Sequence, residues 1–83
     1  MARLPENDKV AEWFASTRET FGLSQRDFAA RLREKAPFVD ANFVARTESG
    51  QRELGLIEFI RICEALGAKP ERIFATLLRS LRE

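Results

Sequence analysis

The sequence predicts an all-α fold of five helices, and three observations carry that prediction. Apolar residues recur at three- and four-residue spacing along most of the 83-residue chain. Alternation of period two never persists, and β-branched residues are few. Helix punctuation divides the chain at intervals: Gly22, Pro37, Gly50 and Gly67 follow periodic stretches, and Ser24, Asp40 and Pro70 precede or open them. The length fits one small domain, residues 1–83.

The first helix runs from about Asp8 to Phe21, with Asn7 or Asp8 as its cap. Val10, Trp13, Phe14, Thr17 and Phe21 make one apolar face, and Gly22 ends it. The second starts at Ser24, an N-cap with Asp27 three residues on. Phe28, Ala29 and Leu32 are its apolar residues. It is expected to run on through Arg33, Glu34 and Lys35 until Pro37 stops it. The third is capped by Asp40 and spans Ala41 to Ser49, with Val44 and Thr47 facing inward and Gly50 closing it. Phe43 either packs under the turn or stays at the surface of this helix.

The fourth helix runs from about Leu56 to Leu66 with a broad apolar face (Leu56, Ile57, Phe59, Ile60, Cys63, Leu66), and Gly67 ends it. The fifth opens at Pro70, a favourable first-turn position, and reaches about Arg82. Ile73, Leu77 and Leu81 form one stripe, with Phe74 and Leu78 beside it. Two readings of this apolar excess stand side by side: all of it caps the core, or part of it is a homodimer surface.

Composition narrows the function. The chain has no histidine, no tyrosine and one cysteine, so no Ser-His or Cys-His couple and no zinc cluster can be assembled. The four glycines are isolated, so no phosphate-cradling loop exists. The expectation is a non-enzyme with no catalytic residue, no metal and no cofactor. No stretch approaches the length of a membrane helix, and no signal-peptide core opens the chain. Cys63 alone excludes an internal disulfide and fits a reducing compartment. The expected location is cytoplasmic, on the nucleoid. A net charge of +1 leaves any basic footprint to local placement.

Three stretches, in this order, carry a resemblance: "RETFGLSQRDFAARL" (Arg18–Leu32), "FVARTESGQREL" (Phe43–Leu54) and "LIEFIRICEALGAKPERIF" (Leu56–Phe74). Together they resemble the Xre/Cro-type helix-turn-helix of phage and bacterial repressors. The resemblance covers about Val10 to Leu78. It implies a repressor-like helix-turn-helix at about residues 24–49 and a last helix, about 70–82, suited to dimerisation. The implied function is a dimeric, sequence-specific repressor that places helix 41–49 in the major groove of an operator in double-stranded DNA.

By the same resemblance Asn42 and Arg46, four residues apart on one helix face, read bases, with Ala41 and Ala45 beside them. Asn suits adenine N6/N7 and Arg suits guanine O6/N7. Gln25, in the first turn of the second helix, and Gln51 and Arg52, after Gly50, are expected at the DNA backbone. Arg18 and Glu48 match the family's structural ion pair between the first and third helices.

The chain departs from the family twice. "REKAPFVDANFV" after Leu32 makes the turn about five residues longer, without its glycine. Phe38 and Val39 are expected to tuck back toward the core there. Ala41 and Ala45 also stand where polar residues are common. Ser24 to Leu54 holds six basic against five acidic residues, a thin excess for a DNA-binding surface. These features motivate a second function class, an antitoxin or anti-activator that uses the same fold to bind a protein partner.

Overall fold

A computed structural model describes residues 7–82. Among them are five α-helices and no strand: α1 (Asn7–Phe21), α2 (Gln25–Leu32), α3 (Ala41–Glu48), α4 (Leu56–Ala65) and α5 (Pro70–Arg82). Among the described residues no helix is long and apolar enough to cross a membrane.

Local chemistry sets the helix starts. The Ser24 hydroxyl accepts the Asp27 N–H at 3.1 Å, and the Asp40 carboxylate accepts the Phe43 N–H at 2.7 Å. Glycine supplies the left-handed backbone that ends α1 and α3, with φ of 68° at Gly22 and 77° at Gly50. After Gly50 the chain doubles back, and the N–H groups of Gln51 and Arg52 both reach the Arg46 carbonyl, at 3.0 and 3.2 Å.

Two clusters make the core. The larger joins α1, α2, α3 and α4 through Phe14, Phe28, Leu32, Val39, Val44 and Ile62, all fully buried. The smaller joins α4 to α5 through Phe59, Cys63 and Leu77. Trp13 and Leu54 touch both. α2 packs chiefly against α3, and α1 lies against α3 and α5.

Three sequence expectations are corrected, and one of two open readings is narrowed. α2 ends at Leu32 and does not continue as helix to Lys35. The chain tightens instead: the Ala36 N–H bonds the Leu32 carbonyl at 2.8 Å, and the Val39 N–H bonds the Ala36 carbonyl at 3.0 Å. This turn buries Ala36 and Val39 completely, and Ala36 precedes a proline, which disfavours helical backbone. Phe38 does not tuck in with Val39. It stays 40% exposed and rests edge-on against Phe43, 5.5 Å between ring centres. α1 turns Asn7, Ala11 and Phe14 inward, so Val10, Trp13 and Thr17 are only half-buried. Phe21 lies outside, 39% exposed, with the Arg31 guanidinium 4.5 Å above its ring. Lastly, the apolar residues of α4 and α5 do not all cap the core: Leu56, Ile57, Phe74 and Leu81 are exposed.

Candidate nucleic-acid interface

α3 is fixed to the rest of the molecule through its C-terminal end. Arg18, on α1, donates to both carboxylate oxygens of Glu48: Nε to Oε2 at 2.7 Å and Nη2 to Oε1 at 3.1 Å. Its remaining Nη1 donates to the Leu23 carbonyl at 2.8 Å, in the turn between α1 and α2. One guanidinium therefore ties three segments together, in the bidentate geometry that makes such pairs strong. The bond to Glu48 holds the Arg18 guanidinium above its ordinary pKa. A second tie is Asn7, whose buried side-chain amide donates to the Gly50 carbonyl at 3.0 Å.

α3 presents one face outward from this anchorage. Phe43, Val44 and Thr47 are buried, and the Thr47 hydroxyl bonds back to the Phe43 carbonyl at 2.7 Å. Ala41, Asn42 and Arg46 are exposed, and Ala45 is half-buried among them. The side chains of Asn42 and Arg46 make no hydrogen bond or ion pair among the described residues. Sequence spacing placed these four residues on one face, and the structure brings them together there. The two alanines leave the flanks of Asn42 and Arg46 open, so the polar ends stand clear of neighbours.

The other expected site residues are placed less simply. Gln25 sits in the first turn of α2 and donates from Nε2 to Glu48 Oε1 at 3.2 Å, so it belongs to the Arg18–Glu48 network. Gln51 is exposed. Arg52 is engaged within the molecule. Its Nη1 and Nη2 reach Glu58 Oε1 and Oε2 at 2.8 and 2.6 Å, and Nη1 also donates to the Glu53 carbonyl at 2.9 Å. Its guanidinium lies 4.4 Å over the Phe43 ring. A phosphate at Arg52 has to compete with the Glu58 carboxylate.

Sequence reasoning missed Glu58. It stands three residues into α4 and accepts the Gly55 N–H at 2.8 Å, which helps to cap that helix. The hydrogen bonds from Arg52, and then the one from Gly55, hold its carboxyl below the usual range. The local signal was present, since a glutamate at the third helical position favours such a bond. Its arginine partner was not predictable from spacing. Asn7 was also missed, because a polar residue at a helix start reads as a cap rather than as a buried strut.

Burial pushes the Cys63 thiol up to about 11, so it stays protonated at neutral pH. Among the described residues no group of three or more acidic, cysteine or histidine side chains gathers to hold a metal. Two clefts mark the surface. One, of about 450 Å³, lies between α2 and the start of α3. The other, of about 410 Å³, is apolar and lies between α4 and α5, with Val10 at its edge. Comparison with protein-family models, with curated proteins and with solved structures finds no match to this chain.

Proposed function

We propose that this chain is a sequence-specific DNA-binding transcriptional regulator, a dimeric repressor that reads major-groove half-sites with α3. The observation that carries the reading is the outward face of α3. Asn42 and Arg46 lie one turn apart, side by side, without a side-chain hydrogen bond or ion pair among the described residues and flanked by alanines. Such a pair can make two bidentate contacts, Asn donating to N7 and accepting from N6 of adenine, and Arg donating to O6 and N7 of guanine. The C-terminal end of α3 and the turn after it are anchored by Arg18–Glu48 and Asn7–Gly50, so the readout groups stand on a rigid support. The homodimer part of the proposal draws on the apolar cleft of α4 and α5. Phe74 is 55% exposed and Leu56 71%, and large apolar residues grouped in this way mark interaction surfaces.

The test is selection of bound duplexes from a random library, followed by affinity measurements on the selected and scrambled duplexes at moderate salt. A preference for the selected duplex is expected. Arg46→Ala should weaken it by roughly 1–3 kcal/mol and relax one base position. Equal affinity for selected and scrambled DNA sinks the proposal, and undiminished binding by Arg46→Ala sinks the readout assignment.

A second reading takes its support from the same apolar cleft: an antitoxin or anti-activator whose partner protein fills it. Co-purification from the native host separates the two. A stoichiometric heteromer with weak DNA affinity favours the second, and a homodimer with strong operator preference favours the first.

A further inference from the structure

We infer that the cleft between α2 and the start of α3 receives a backbone phosphate of bound DNA, clamped between Arg26 and Arg33. The inference rests on the DNA-binding reading above. It assigns the backbone contact to a place other than the Gln51–Arg52 loop.

The cleft encloses about 450 Å³, and two arginines of one helix face line it. Arg26 lies in the first turn of α2 and Arg33 is its C-cap residue, still with helical backbone, so the two are seven residues or two turns apart on one side, separated by about 10 Å along the axis. Ala29 and Ala30 lie between them. Their small side chains leave space in which an anion can approach both guanidinium groups. Arg33 is held in place, because its Nε donates to the Val39 carbonyl at 2.8 Å. That bond leaves the Nη groups of Arg33 available. Arg26 makes no hydrogen bond or ion pair among the described residues. Arginine in this arrangement suits the planar, bidentate recognition of phosphate oxygens.

The far wall of the cleft is the start of α3, with Ala41 and Asn42. A phosphate held here therefore lies beside a residue of the proposed base-reading face. Asp40 is the one carboxylate in the lining, and its Oδ1 is committed to the Phe43 N–H at 2.7 Å. Two positive charges thus face one negative charge that is already hydrogen-bonded. The long turn gains a role as well. Burial of Ala36 and Val39 goes with the placement of the Val39 carbonyl at Arg33, which holds that arginine at the cleft.

The experiment measures the affinity of the full chain for a library-selected duplex and a scrambled one by fluorescence anisotropy, across a range of salt concentrations. Parent, Arg26→Gln and Arg26→Gln/Arg33→Gln are compared. Each lost phosphate contact should reduce the slope of log K against log salt by about 0.9. Affinity should fall by the same factor on both duplexes, so sequence preference survives. A parental slope in the double variant overturns the clamp, and so does a lost preference with an unchanged slope. If the parent itself shows no preference, the regulator reading falls and the clamp falls with it. A parent that discriminates between the duplexes, with slopes unmoved by the variants, sinks the clamp alone. Arg26→Gln removes no hydrogen bond or ion pair among the described residues, so it keeps the test valid if loss of the Arg33–Val39 bond unfolds the double variant.

Discussion

The carboxylate of Glu48 accepts three side-chain hydrogen bonds, two from Arg18 and one from Gln25. Arg18 keeps 20% of its side-chain surface exposed and Glu48 only 9%. Removing the arginine leaves a nearly buried carboxylate with one neutral donor, which is costlier than losing both charges together. Arg18→Met should therefore destabilise the fold by roughly 2–4 kcal/mol, below the fully buried case because solvent still screens one partner. Arg18→Met/Glu48→Leu should recover part of that loss in urea unfolding. Additive single effects would mean that the pair is not coupled. Glu58 gives a second residue-scale test. Its folded carboxyl titrates below its ordinary value of 4.5. Its contribution is thus complete above that value and fades as pH falls through the lower, folded one. The melting temperature of the parent should drop more steeply below pH 4.5 than that of Glu58→Gln, and parallel acid profiles would exclude Glu58 as a source of acid lability.

At the scale of elements, the turn from Arg33 to Asp40 does the most to shape the proposed interface. Val39 is fully buried beside Val44 and Leu32, while its neighbour Phe38 is 40% exposed. Val39→Ala should cost roughly 2–3 kcal/mol through lost burial and a residual cavity. Phe38→Ser should cost under about 1 kcal/mol, since it removes one edge-on ring contact from the surface. Thermal melts that reverse this order would show that the turn is packed differently. The same turn shows what sequence reading reaches and where it stops. The starts of α2 and α3 were legible because Ser24 and Asp40 act on N–H groups three residues away. The face of α3 was legible because Asn42 and Arg46 follow helical spacing. The end of α2 was not: the burial of Val39 was expected, but the helix stops at Leu32 because Ala36 also reaches the core, which no local pattern encodes. The same is true of α1. Its inward edge includes Asn7 and Ala11, one polar and one small, so a search for large apolar residues passes over them. Arg52 read as an exposed cation because its partner Glu58 lies across a loop whose path only the folded chain defines.

For the whole molecule, the balance between core and surface decides the assembly. The smaller core cluster holds three buried residues, Phe59, Cys63 and Leu77. Beside it three large apolar side chains that line one cleft with Phe59 and Leu77 stay in contact with solvent: Leu56 at 71%, Phe74 at 55% and Leu81 at 39%. A small domain has little core from which to draw stability, and covering such a surface with a second copy adds to it. Two copies also carry two α3 helices, which a two-fold operator requires. If this face joins the copies, Phe74→Glu/Leu81→Lys should yield a monomer in sedimentation equilibrium, with the helical circular dichroism of the parent, because neither residue is needed for the core. DNA affinity should then fall steeply while the preferred base sequence of one half-site stays the same, since α3 itself is untouched. A parent that is monomeric across micromolar concentrations would remove the homodimer from the proposal. A variant that stays dimeric would move the contact to another face. A variant that loses its helical signal would mean that these residues support the fold after all, and that the exposed apolar surface of α5 belongs to the monomer's own stability.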